Sequence, residues 1–124
     1  MPRKILVVDD EEHQRRLYAQ EFEADGYEVI DAENGRVALE KAASEKPDLV
    51  ILDICMPGMD GIEALGRILS ADYRIPVVLN TAYGGYRESF MSWAADAYVV
   101  KSADLTELKQ TVRDILEKTC GGAP

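Results

Sequence analysis

The stretch Ile5-Leu6-Val7-Val8-Asp9-Asp10, an apolar run that ends in two carboxylates, sets a pattern that recurs along the chain. Three further runs are apolar throughout rather than alternating, at 49–52 (LVIL), 76–79 (PVVL) and 97–100 (AYVV). Runs of this kind are typical of strands covered on both faces, as in a parallel sheet. A fifth segment, 27–31 (YEVID), is more polar and partly alternating, so we expect it at a sheet edge.

Segments with helical periodicity separate these strands. Helices are predicted over 11–25 and over 35–45. Gly26 stands directly after the first of them, where a helix usually ends. Apolar stripes predict three more helices, carried by Ile62, Leu65 and Leu69; by Tyr86, Phe90, Trp93 and Ala94; and by Leu105, Leu108, Val112, Ile115 and Leu116. Asp104 and Glu107 form a capping-box pattern before the last stripe. This strict alternation predicts a single α/β domain, a doubly wound five-stranded parallel sheet with right-handed crossovers.

Composition and charge restrict the class of protein. The chain has 124 residues, of which 47% are apolar and 30% charged, as in an ordinary globular domain. Its net charge of -9 repels phosphate backbones and anionic lipid, so we expect no direct nucleic-acid binding and no membrane binding. No apolar run approaches the roughly 18 residues that span a bilayer, and no signal-peptide pattern is present, which predicts a cytoplasmic location.

Polar side chains stand where the predicted strands end. Ligands of such folds bind at the carboxyl ends of the strands, so these side chains are expected to share one edge of the sheet. Three carboxylates held together repel one another and require a cation, and Mg²⁺ is the natural candidate because it binds a few carboxylates while keeping waters and a substrate phosphate. The residues are Asp9, Asp10, Asp53, Asn80, Thr81 and Lys101.

Each of these residues taken alone also has a purely structural explanation. Asp10 would be the N-cap of the following helix, Lys101 a solvated surface lysine, and Thr81 a turn residue. A functional site is favoured because all of them fall at one edge of one predicted sheet.

Four motifs in this arrangement resemble the response-regulator receiver domain of two-component signalling, a family that includes the chemotaxis regulators. The resemblance covers Lys4 to Thr119 and implies a receiver domain over 1–119, with 120–124 as a disordered tail or linker stub. It also implies a (βα)5 flavodoxin-like fold with strand order 2-1-3-4-5. The motifs are 7–11 (VVDDE), 52–61 (LDICMPGMDG), 80–84 (NTAYG) and 98–101 (YVVK).

The resemblance implies a role for each site residue. Asp53 becomes the phosphoryl acceptor. Mg²⁺ is bound by Asp10 and Asp53, by Asp9 mostly through water, and by the backbone carbonyl of Cys55. Lys101 pairs with the phosphoryl group.

Further residues would sense the phosphoryl group. The backbone N-H groups of Ile54 and Ala82 approach its oxygens, Thr81 is the switch hydroxyl that bonds it, and Tyr98 is the aromatic that changes rotamer. The response would then appear on the face formed by the predicted helix over 86–94, the strand over 97–100 and the last helix.

The resemblance therefore implies a phosphoacceptor switch rather than an enzyme, one that catalyses only its own phosphorylation and dephosphorylation. The expected phosphodonor is a sensor histidine kinase or a histidine phosphotransfer protein. The expected target is a downstream protein or a covalently linked output domain, and phosphorylation could produce a homodimer.

Three alternatives stay open on the sequence. Ser102 follows Lys101 where the family usually has proline, which leaves room for a phosphate-independent, receiver-like docking module. A Mg²⁺-dependent aspartyl-phosphate phosphatase of the haloacid-dehalogenase type would need a second Asp where this chain has Cys55, and a cap domain. A flavin-binding module would need a phosphate-cradling loop after the first strand, where Asp9 and Asp10 would repel the phosphate.

Overall fold

The computed structural model describes residues 3–53, 75–81, 97–101 and 104–121. The predicted helices around Ile62 and Tyr86 lie outside these ranges. The strands are β1 (Lys4–Val8), β2 (Glu28–Ala32), β3 (Leu49–Leu52), β4 (Val77–Thr81) and β5 (Ala97–Val100). The helices are α1 (Glu12–Ala24), α2 (Gly35–Glu45) and a C-terminal helix (Thr106–Gly121).

The strands form one parallel sheet in the order β2-β1-β3-β4-β5, which confirms the predicted fold class and strand order. Val8 at the end of β1 pairs with Ala32 on one side and Leu52 on the other. Leu52 in turn pairs with Leu79 of β4. Because these pairs share one level, the residues that follow them meet at the same edge of the sheet. The more polar β2 lies at an outer position, as its partial alternation predicts.

Both faces of the sheet are covered, which explains why its inner strands are apolar without alternation. Successive residues of a strand point to opposite faces, so each strand contributes to two cores. The face under α2, which we call the α2 face, includes Leu6, Val8, Ala38, Ala42, Val50, Leu52, Val77, Leu79 and Tyr98. The face under α1 and the C-terminal helix, which we call the α1 face, includes Ile5, Val7, Tyr18, Phe22, Ile51, Val78, Val99, Leu108, Val112 and Leu116.

Local signals in the sequence place the helix ends. Gly26 follows α1 with a φ of 97°, a left-handed conformation that suits glycine because it has no side chain to clash. Asn34 caps α2 by accepting a hydrogen bond from the Val37 N-H at 2.9 Å. Asp104 accepts one from the Thr106 N-H at 2.9 Å, at the start of the C-terminal helix.

The C-terminal helix continues to Gly121, two residues past the domain end expected at 119. No proline or glycine interrupts the chain between Thr106 and Cys120, so nothing local stops the helix earlier. Residues 122–124 lie outside the described ranges. Among the helices that the structure describes, none is long and apolar enough to cross a membrane.

Candidate functional site

A row of polar side chains crosses the carboxyl edge of the sheet on the α1 face. Asp9, Asp53, Asn80 and Lys101 each follow by two residues a core residue of that face, so strand alternation directs them to the same side. We call these four residues the polar row. The sheet holds two of them directly, because the Asp9 N-H donates to the Ala32 carbonyl at 3.1 Å and the Asp53 N-H to the Val8 carbonyl at 3.0 Å.

Lys101, which follows β5, reaches past the end of β4 to contact the two carboxylates of the polar row. Its Nζ donates to Asp9 Oδ2 at 2.7 Å and to Asp53 Oδ2 at 2.9 Å. The carboxylates are 2% and 8% exposed and the lysine side chain 19%, so water screens the contacts weakly. Burial alone would lower the pKa of Lys101, but the hydrogen bonds and charges of Asp9 and Asp53 outweigh it and raise that pKa. Lys101 therefore carries its positive charge at neutral pH.

Asp9, Asp10 and Asp53 form a carboxylate cluster in which one oxygen from each lies within 4.8 Å of the others. Asp10 is exposed, whereas Asp9 and Asp53 are buried. One ammonium offsets only one of the three negative charges, which leaves the cluster anionic. Clustered carboxylate oxygens are the donors that Mg²⁺ prefers, and Mg²⁺ is commonly held by one or two carboxylates plus waters. The side chains present therefore fit this ion.

The start of α1 excludes one structural explanation of Asp10. The helix begins at Glu12, so Glu11 rather than Asp10 occupies the N-cap position. The carboxylate that supports this turn is Asp9, whose Oδ1 accepts from the Glu11 N-H at 2.9 Å. One oxygen of Asp9 therefore accepts from the Glu11 N-H, and the other accepts from Lys101. Asp10 lies on the exposed side of the cluster.

The structure adds a buried contact that the sequence pattern did not predict. Asn80 Nδ2 donates to the hydroxyl of Tyr18 on α1 at 2.9 Å. Both side chains are buried, at 3% and 2% exposed. Burial raises the pKa of Tyr18, and the hydrogen bond from Asn80 lowers it in part. The sequence offers one indication of this contact. The Asn80 amide directly follows the apolar run 76–79, on a strand whose other residues are typical of a core.

Removing the Tyr18 hydroxyl is expected to destabilise the protein. Tyr18→Phe leaves the Asn80 amide buried beside a ring that cannot accept its hydrogen bond, at a cost of about 1–3 kcal/mol. Urea unfolding measures this change. The double variant Tyr18→Phe/Asn80→Leu should recover part of the loss because no polar group is then stranded. Additive losses in the double variant would contradict the coupling.

The other predicted site residues are described only in part. Thr81 is the last residue of β4 and pairs with Val100, which places its backbone at the same edge as the polar row. Tyr98 is 4% exposed and belongs to the core of the α2 face. Three predicted site residues, Ile54, Cys55 and Ala82, lie outside the described residues, as does Ser102.

Comparisons with known proteins agree with this geometry. The profile of the family described as Response regulator receiver domain matches residues 5–113. Sporulation initiation phosphotransferase F of Bacillus subtilis (strain 168) is 39% identical over 118 residues, covering 94% of this chain and 95% of that protein. Regulatory protein AtoC of Escherichia coli (strain K12) is 42% identical over 116 residues, 92% of this chain.

Solved structures show the same likeness. The response regulator protein TrrA from Thermotoga maritima, in complex with Mg²⁺-BeF, superposes with a TM-score of 0.86 at 49% identity, covering 91% of this chain and 98% of that chain. TrrA in complex with the histidine kinase ThkA gives a TM-score of 0.84 at 49% identity, covering 92% of this chain and 98% of that chain. In length the chain spans 25% of AtoC and 52% of the Bacillus subtilis regulatory protein PhoP.

Proposed function

The chain belongs to the response regulator receiver domain family, and from that premise we propose that it is the phosphoacceptor switch of a two-component phosphorelay, with Asp53 as the acceptor. The observation that carries this proposal is the setting of the Asp53 carboxylate. It lies in the middle of the polar row, 2.9 Å from the Lys101 ammonium and within 4.8 Å of two further carboxylates. A nucleophile, a fixed cation and a site for a divalent cation then lie within one edge of the sheet.

The chemistry follows from these charges. A carboxylate oxygen of Asp53 attacks phosphorus in line, and as the new O–P bond forms, the bond from phosphorus to the donor breaks and the donor leaves with its electron pair. The obstacle is the approach of one anion to another, so catalysis is mainly positioning and charge neutralisation. Lys101 supplies a positive charge beside the attacking carboxylate at neutral pH.

We assign the cation site to Asp10, Asp53 and the backbone carbonyl of Cys55, with Asp9 acting mostly through water. Mg²⁺ held there would neutralise the phosphoryl oxygens and orient them for the displacement. Asp9 keeps its place through the Glu11 N-H and Lys101. In this arrangement the positive charges of Lys101 and the cation together offset the negative charges of the carboxylate cluster.

The output follows from the charge added at Asp53. A phosphoryl group brings about -1.5 to -2 charge and new acceptor oxygens to the edge of the sheet. Thr81 would bond one of these oxygens, and the N-H groups of Ile54 and Ala82 would approach the others. Tyr98, now packed in the core of the α2 face, would change rotamer as Thr81 moves. Differential contacts of this kind shift the population of two conformations of the 86–94, β5 and C-terminal-helix face.

The partners proposed follow from the same role. The phosphodonor is a sensor histidine kinase or a histidine phosphotransfer protein, in line with the complex of the related TrrA with ThkA. The target is a downstream protein or a covalently linked output domain, and longer relatives such as AtoC support the second case. We place the protein in the cytoplasm, with no direct contact to nucleic acid or membrane and with homodimerisation as one response to phosphorylation.

The test is phosphorylation by a small donor that bypasses the partner. The protein is incubated with acetyl phosphate and Mg²⁺, and its intact mass is followed against a sample containing EDTA. We expect a gain of one phosphoryl group in the first sample only. No gain with acetyl phosphate or with histidine kinases would overturn the proposal and favour a phosphate-independent docking module.

Mg²⁺ is expected to stabilise the fold, because it binds a carboxylate cluster that exists only in the native state. At a free concentration ten times its Kd, the free energy of unfolding should rise by about 1.4 kcal/mol. Urea unfolding with and without Mg²⁺ measures this rise, with KCl at equal ionic strength as the control for screening. The same rise in Asp10→Asn would show that the ion binds elsewhere.

A further inference from the structure

Arg15, in the first turn of α1, contacts both the residue that follows β1 and a residue of β2. Its Nη1 donates to the backbone carbonyl of Asp9 at 2.7 Å, and its Nε donates to Asp31 Oδ2 of β2 at 2.8 Å. The side chain is 13% exposed. The guanidinium is planar, so two bonds from neighbouring nitrogens define the orientation of both acceptors.

Arg16, the next residue, shows what an arginine on this helix does without such contacts. Its Nη2 pairs with Glu12 Oε1 at 3.1 Å on the same helix, and its side chain is 73% exposed. Exposed pairs of this kind contribute little to stability. The contrast indicates that Arg15, unlike Arg16, has a structural role at the edge of the sheet.

This role of Arg15 is to hold the peptide that joins Asp9 to Asp10. The Asp9 N-H is held by the Ala32 carbonyl, and the Asp9 carbonyl is held by Arg15, so the backbone is fixed on both sides of the Asp9 side chain. Asp31 is anchored as well, since Lys41 Nζ donates to its backbone carbonyl. The orientation of the Asp9–Asp10 peptide plane sets the direction in which the Asp10 side chain projects.

We propose that Arg15 is a positioning residue that fixes the Asp9–Asp10 peptide so that the two carboxylates meet Asp53 around a divalent cation. This inference rests on the proposed function, because it assumes that the cluster of Asp9, Asp10 and Asp53 binds Mg²⁺. Arg15 is not among the residues that we propose to hold the cation or the phosphoryl group. It acts through the backbone, as groups outside the ligand set of a metal site commonly do.

Charge and positioning predict opposite results for Arg15. A guanidinium near the cluster repels Mg²⁺, so if charge were its only effect, Arg15→Gln would tighten Mg²⁺ binding and Arg15→Lys would leave it unchanged. If Arg15 positions the peptide, both variants weaken binding, because neither lysine nor glutamine reproduces the two-pronged contact.

The experiment is a Mg²⁺ titration by isothermal calorimetry of the wild type, Arg15→Lys, Arg15→Gln and the control Arg16→Gln. We expect the Kd to rise about tenfold in both Arg15 variants, the lower end of the effect of losing a supporting contact. Arg16→Gln should keep the wild-type Kd. Asp31→Asn, which leaves Arg15 in place but weakens its anchor, should raise the Kd by a smaller factor.

A second readout separates positioning from damage to the fold. Phosphorylation by acetyl phosphate should be slow in Arg15→Lys at low Mg²⁺ and should return to the wild-type rate at saturating Mg²⁺. A rate that stays low at saturation, or a tighter Kd in Arg15→Gln beside an unchanged Kd in Arg15→Lys, would overturn the inference. If the wild type itself binds no Mg²⁺, the proposed function fails and the inference fails with it.

Discussion

Asp53→Asn is expected to abolish phosphorylation by acetyl phosphate, although the side chain keeps its shape. The amide is a far weaker nucleophile than the carboxylate, and it also removes one negative charge from the carboxylate cluster that we propose as the cation site. Its oxygen can still accept a hydrogen bond from Lys101, which now lies 2.9 Å from Asp53 Oδ2. Intact mass should show one added phosphoryl group on the wild type and none on the variant.

Asp48→Asn is the matched control for this substitution. Asp48 precedes β3 at the opposite end of the strand, where its Oδ2 accepts from the Lys4 N-H at 2.8 Å. The same chemical change at that end should leave the mass gain intact. A phosphoryl group on Asp53→Asn would locate the acceptor elsewhere, and mapping of the modified peptide would then identify it.

Lys101→Met is expected to cause a larger loss of stability than Tyr18→Phe. It removes the ammonium shared by Asp9 and Asp53 and leaves two buried carboxylates facing each other. Breaking a buried ion pair by removing one partner costs about 3–5 kcal/mol. Urea unfolding in EDTA at pH 7 measures this loss, and Mg²⁺ should recover part of it because the ion replaces the missing positive charge.

The pH dependence of this contribution has a definite sign. The pKa of Lys101 is raised in the folded state, so its ion pairs stabilise fully below the unfolded-state pKa of about 10.4 and are lost as pH rises through the folded-state value. At pH 7 the full contribution is therefore present. As pH is raised from 7, the difference in stability between wild type and Lys101→Met should begin to shrink in strongly alkaline buffer.

Lys109→Met is the control for loss of a lysine on the same side of the sheet. Lys109 pairs with Glu21 and Asp25 at 2.9 and 3.4 Å, and these partners are 44% and 30% exposed. Because water screens such pairs, its removal should leave the unfolding midpoint nearly unchanged. Equal losses in the two variants would show that Lys101 contributes no more than a surface cation.

The sequence by itself was sufficient to predict the architecture and the edge of the sheet at which the candidate site residues lie. Runs such as 5–8 and 49–52 are typical of strands covered on both faces, and helical segments between them require parallel pairing with crossovers. Gly26 predicted the end of α1 from local chemistry, and the structure adds that Asn34 caps the start of α2. These features depend on residues close together in the chain, so a linear pattern is enough to predict them.

The contacts within the site were decided only by the tertiary structure. Lys101 meets Asp9 and Asp53 across separations of 92 and 48 residues, and Asn80 meets Tyr18 across 62. Such pairs depend on which strands are neighbours and on their register, to within one residue, because a shift of one residue turns a side chain to the other face. The sequence determined which groups stand at the edge of the sheet, whereas Arg15 and Asn80 acquired their partners only once α1 packed over it.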